Sequence, residues 1–132
     1  MSKLARVTLP QALGYRGGQP MTAWLLHRIS AIGIVLFVSM HVFAAFFLYA
    51  TTGGSTNAIA NGLTNFYESL PVQIFVLFCV LYHATNGLRI VILDMWPWLH
   101  RFKHEAMWVQ WALFLPMFLL PAFLMIAGVK LG

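Results

Sequence analysis

Three long apolar stretches free of Asp, Glu, Lys and Arg constrain this chain more than any other feature. They are AIGIVLFVSMHVFAAFFLYA (31–50), LPVQIFVLFCVLYHATNGL (70–88) and AMWVQWALFLPMFLLPAFLMIAGV (106–129). A helix rises about 1.5 Å per residue, so each stretch approaches the roughly 20 residues that cross about 30 Å of hydrocarbon. Hydrocarbon offers no water to a bare N–H or C=O, and a helix pairs those groups internally. The expected fold is therefore an all-α membrane protein with three transmembrane helices. Residues 1–132 form a single domain, with an irregular arm at 1–20 and spans at about 22–50, 66–94 and 106–129. Composition agrees: 61% of residues are hydrophobic and 8% charged, against about 25% charged in an average soluble domain.

The first run begins too deep and runs too long for a secretory signal, and no cleavage site is visible, so the N-terminus is expected to be retained. Orientation follows lysine and arginine. Lys3, Arg6, Arg16 and Arg28 precede or open the first span, and Arg89, Arg101 and Lys103 lie around the loop after the second. The loop after the first span has none, and Lys130 alone follows the third. This predicts a cytoplasmic N-terminus and a C-terminus on the outer side. The net charge of +5 is thus explained by topology, and no nucleic-acid partner is inferred. The single cysteine, Cys79, forms no disulfide within the chain. Between the spans, TTGGSTN (51–57) reads as a polar turn and AIANGLTNFY (58–67) as a short interfacial helix. MWPWLHRFKHE (95–105) mixes aromatic and basic residues, as an interfacial belt does. Pro116 and Pro121 fall inside span three, where a kink is expected.

Against this apolar background, LYHATNGLRIVILD (81–94) places His83, Asn86, Arg89 and Asp94 in or near hydrocarbon. Intramembrane ionisable groups are rare and face a bundle interior, a cavity or a cofactor. Neutral imidazole ligates haem iron, and an apolar bundle suits the macrocycle. His83 lies about 16 Å from Asp94, and His27 about 5–9 Å from a span starting at Met21 or Trp24. Propionates of a haem on His83 would then reach the depth of His27 and Arg28, where an arginine fork suits a carboxylate. Gly87, four residues after His83, presents no side chain to a flat ring. Two readings stay open on these residues alone. His83 either ligates iron or hydrogen-bonds a neighbouring helix, and Arg28 and Arg89 either bind a ligand or extend to lipid headgroups. His41 follows His27 by fourteen residues on nearly the same face, a spacing seen where two haems stack between paired helices. The second span has no matching pair of histidines, so His41 is a possible second-haem ligand only with a partner's histidine. His100 and His104 read as solvated.

LLHRIS (25–30) and YHATNGLRIVILD (82–94) together resemble the succinate dehydrogenase cytochrome b subunit, the larger membrane anchor of succinate:quinone oxidoreductase, or respiratory complex II. That family shows S-x-x-H-R-x-S/T and then H-x-x-x-G-[I/L]-R-x-x-x-x-D, and GYRGGQPMTAW (14–24) also resembles its short bacterial members. The resemblance covers nearly the whole chain. It implies haem b with His83 as axial ligand, shared with a second, homologous membrane-anchor subunit, and His27 and Arg28 at the propionates. It also implies an iron–sulfur subunit and a flavoprotein subunit as partners, succinate as the electron donor, and a multi-pass place in the cytoplasmic (inner) membrane. Catalysis would belong to the complex, because the chain carries no nucleophile or acid–base pair. Two positions depart from the motif. Trp24 stands where the family has a quinone-associated Ser, and Ile90 where ubiquinone-using relatives often have His. Trp24, Arg28 and Ser30 remain as quinone-site candidates, and menaquinone is the expected quinone. Alternatives are the anchor of a quinol:fumarate reductase, a two-haem variant and a haem-free structural anchor.

Overall fold

The computed structural model describes residues 18–50 and 58–128. These form helix α1 (Gly18–Ala50), a short helix α2 (Ala58–Tyr67), α3 (Leu70–Met95), a 3-10 turn (Pro97–Phe102) and α4 (Lys103–Ile126). No strand occurs among the described residues. Stretches Pro20–Phe46, Leu70–Met95 and Pro97–Ile126 are long and apolar enough to cross a membrane. The all-α, three-span fold class expected from the sequence is therefore observed. Most of the arm, Lys130 and the TTGGSTN turn fall outside the described residues.

The helix boundaries have local causes. Pro20 sits in the first turn of α1, where a missing N–H costs nothing. Helix α1 consequently starts at Gly18, before the expected Met21–Trp24. Glycine suits that end because its φ of 67° is in the left-handed region. Ser69 is the extended N-cap of α3 with Pro71 next to its start, and the Gln73 side-chain amide donates to the Glu68 carbonyl at 2.8 Å. Helix α3 stops before Pro97, and α4 closes on Gly128, also at φ 67°. Pro116 and Pro121 lie within α4, which runs continuously through both. The i, i+4 spacing of His100 and His104 does not lie along one α-helix, because His100 belongs to the 3-10 turn.

Helix α3 is central. Both α1 and α4 pack against it, whereas their own Cα atoms nowhere approach within 8 Å among the described residues. Against α1 the contact is made by small residues: Ala23, Ser30 and Gly33 are buried, and a Cβ at Gly33 would lie 2.7 Å from the Cys79 sulfur. In a membrane, helices gain little from apolar transfer and associate through such close packing and hydrogen bonds. Against α4 the contact is aromatic. Phe114 meets Phe78, Tyr82 and Trp111 edge-on at 5.5–5.7 Å and stacks on Phe118 at 5.5 Å. Such pairs each contribute about 0.5–1.5 kcal/mol. The opposite faces carry exposed Ile, Leu, Val and Phe, as a surface facing hydrocarbon or another helix does.

Candidate functional site

On α1, His27, Ser30 and Gly33 follow helical spacing and face α3; on α3, Cys79 and His83 face back. The two histidine rings meet across this interface, stacked at 4.0 Å between centroids and 11° between planes. His83 Nδ1 lies 3.3 Å from the His27 carbonyl oxygen and 3.4 Å from Ser30 Oγ. Ser30 donates its hydroxyl hydrogen to that same carbonyl at 2.8 Å. A proton on Nδ1, donated to the carbonyl, leaves Nε2 of His83 as the lone-pair nitrogen. A carbonyl behind the ring is how proteins fix the tautomer of a metal-ligating histidine.

His27 and His83 share one level of the bundle. The depth offset expected from the sequence is not seen, because α1 begins at Gly18 and carries His27 about 14 Å in from its first residue. The open face of Gly87 is taken by His27, whose Cε1 lies 3.7 Å from where a Cβ would sit. The His27 Nδ1 atom is buried without a hydrogen-bond partner. Arg28 is exposed, its guanidinium carbon 3.9 Å from the centre of the exposed Trp24 ring. Cation–π stacking uses the guanidinium face and leaves its in-plane N–H donors available to an oxygen ligand. Ser30 is fully buried beside His83, so the structure pairs Trp24 with Arg28 and separates both from Ser30.

Asp94 does not join this group, and Arg89 lies at its edge, near enough to His27 to interact with it electrostatically. Arg89 lines a cleft between α3 and α4, and Asp94 is exposed at the end of α3. Asn86 is 1% exposed, with its side-chain oxygen unpartnered. His41 is far along α1, 5.2 Å from the Tyr67 ring and 6.0 Å from Phe37. These rings border a groove of about 490 Å³ with Glu68 and Gln73. Among the described residues no three His, Cys, Asp or Glu side chains are grouped to hold a metal ion. Sequence reasoning missed Gln110, which is 3% exposed with both side-chain polar atoms unpartnered. The Tyr82 hydroxyl is close enough to interact with Gln110 but not in hydrogen-bonding geometry with it. Gln110 is the lone amide in the third apolar run, and that isolation was the available signal.

These features define a three-span membrane bundle with an oriented intramembrane histidine at a helix interface. A family model described as succinate dehydrogenase/fumarate reductase transmembrane subunit matches residues 3–123, and the chain belongs to that family. It is similar to the succinate dehydrogenase 2 membrane subunit SdhC of Mycobacterium tuberculosis (strain ATCC 25618 / H37Rv), at 29% identity over 112 residues, 85% of this chain and 81% of that protein. No solved structure matches the chain. The protein is thus a membrane subunit of a succinate dehydrogenase or fumarate reductase, a component of an enzyme.

Proposed function

We propose that this chain is the haem b-binding anchor of a succinate:quinone oxidoreductase, with His83 as the axial ligand. The observation that carries this reading is the His83 Nδ1 contact with the His27 carbonyl, which leaves Nε2 for iron. The exposed Arg28 suits a haem propionate, since its free N–H donors match a carboxylate, whereas His27, stacked on the His83 ring at the same level, is not placed for that role. A bound b-type haem supplies a one-electron redox centre within the membrane. The chain's own residues orient the ligand, neutralise the carboxylates and exclude water from the helix interface. A second, homologous membrane anchor would share in holding the haem. The iron–sulfur and flavoprotein subunits dock on the side carrying Trp96, Trp98, Arg101 and Lys103, which is cytoplasmic by the distribution of basic residues. The membrane is then the cytoplasmic one. Trp24 and Arg28 help form the quinone site, with menaquinone as the acceptor of electrons from succinate. Succinate is bound by the soluble subunits.

The test is the reduced-minus-oxidised spectrum and haem-to-flavin ratio of the purified complex, with His83→Ala and His41→Ala beside the wild type. Loss of the b-type band in His83→Ala alone supports a single haem on His83. An unchanged band in His83→Ala overturns the assignment. The two-haem reading rests on the groove beside His41 and requires each substitution to remove a separate part of the signal.

A further inference from the structure

Toward the end where α3 and α4 are joined, a cleft of about 330 Å³ lies between them. Its walls are apolar, formed largely by Leu88, Ile92, Val109 and Leu113, with Arg89, Glu105 and Gln110 among them. The Nε of Arg89 is buried without a partner, and so are both polar atoms of Gln110. No ion pair joins Arg89 to Glu105. Arg89 and Gln110 thus carry buried polar atoms without partners beside a space that the exposed Glu105 also borders, and such buried groups are costly unless a ligand completes them.

Their depths are ordered. Glu105 lies two residues from the start of α4, about 3 Å; Arg89 lies six residues from the end of α3, about 9 Å; Gln110 lies seven residues into α4, about 10 Å. Beyond them the cleft is hydrocarbon in character. A phospholipid with a primary amine headgroup presents its groups in this order: ammonium, phosphate, ester carbonyl, acyl chain. Exposed Trp96, Trp98 and Phe102 beside Arg101 and Lys103 mark this end as lying at headgroup level.

We propose that the α3–α4 cleft binds one zwitterionic glycerophospholipid bearing a primary amine. Its phosphate lies on Arg89, its ammonium on the Glu105 carboxylate and an ester carbonyl on the Gln110 amide. Arginine suits a phosphate through its fork of donors, and a carboxylate selects a headgroup that can donate hydrogen bonds. The cleft holds the headgroup and glycerol, and the chains run into open membrane along Leu113. The lining of this site does not include His83, and it stands whether or not that histidine binds haem.

The test uses the assembled complex, delipidated in mild detergent and returned to nanodiscs of equal phosphatidylethanolamine and phosphatidylglycerol. Retained lipid is counted by native mass spectrometry. The wild type is expected to retain one phosphatidylethanolamine per chain in preference to phosphatidylglycerol. Arg89→Gln is expected to retain about tenfold less phospholipid, the effect of one charge-assisted hydrogen bond. Glu105→Gln keeps a phospholipid but loses the amine preference, and Val109→Trp fills the cleft and excludes lipid without changing charge. The proposal is overturned if the wild type retains no lipid or shows no amine preference, or if Glu105→Gln and Val109→Trp both behave as wild type. Glu105 and Val109 are exposed, so these two decide the matter even if Arg89→Gln does not assemble.

Discussion

At Gly33 the missing side chain admits the Cys79 sulfur of α3. A methyl group there would have to displace a sulfur that is fully buried. Overpacking of this kind typically costs about 1–3 kcal/mol. Gly33→Ala is therefore expected to lower the thermal stability of the detergent-purified complex. Cys79→Ala, which removes the obstructing atom, is expected to restore part of the loss when combined with it. Strictly additive effects in the double variant would sink the packing explanation. At His83 the decisive groups lie on the neighbouring helix. The ring's partners are Ser30 and a backbone carbonyl, and no spacing within 81–94 announces a carbonyl on α1. The histidine was legible as an anomaly in an apolar run. Its orientation was not, because orientation depends on how two helices meet. Ser30→Ala is expected to leave the His83–carbonyl contact in place, retaining haem while shifting its midpoint potential, since the imidazole's surroundings tune the iron. Loss of haem from Ser30→Ala would instead make the hydroxyl the essential partner.

At the scale of elements, the spans were readable because length in apolar residues is a direct measure of membrane thickness. AIANGLTNFY is a helix as expected, closed at Tyr67 with Glu68 and Ser69 bonding back to Thr64 and Phe66. Starts were less legible. Gly18 and Pro20 suggest an irregular arm in isolation, yet proline in a first turn is compatible with a helix, and α1 takes them in. Packing faces were hidden for a further reason: nearly all side chains in these helices are apolar, so hydrophobicity does not distinguish inside from outside. Volume and ring geometry do. Phe114 touches four aromatic rings at the α3–α4 interface, whereas Phe123 on the same helix is exposed. Phe114→Ala is expected to weaken α3–α4 packing by about 2–3 kcal/mol, less than the largest losses in aqueous cores because the transfer contribution is small in lipid. Phe123→Ala should be close to neutral in the same unfolding measurement. Equal losses at the two sites would mean that the aromatic cluster contributes nothing specific.

For the whole molecule, spans that cross in turn would put the α1–α3 and α3–α4 connections on opposite sides, and the basic residues choose which is inside. Arg89, Arg101 and Lys103 cluster where α3 passes into α4, while α2 carries no lysine or arginine. Positively charged loops resist translocation, so the α3–α4 connection is expected to stay inside and α2 to lie outside. The chain offers a clean assay, since Cys79 is its only cysteine and is fully buried. An impermeant maleimide should therefore leave the wild-type chain unlabelled. Asn61 and His100 are both exposed, on α2 and in the 3-10 turn respectively. Asn61→Cys should be labelled in cells whose cytoplasmic membrane is intact, and His100→Cys should not be. The reverse pattern would place the α3–α4 connection outside. The proposed docking of soluble subunits beside Trp96 and Trp98 would then fail, and the proposed quinone site at Trp24 and Arg28, on that same side of the bundle, would be on the wrong face for electrons delivered from the cytoplasm.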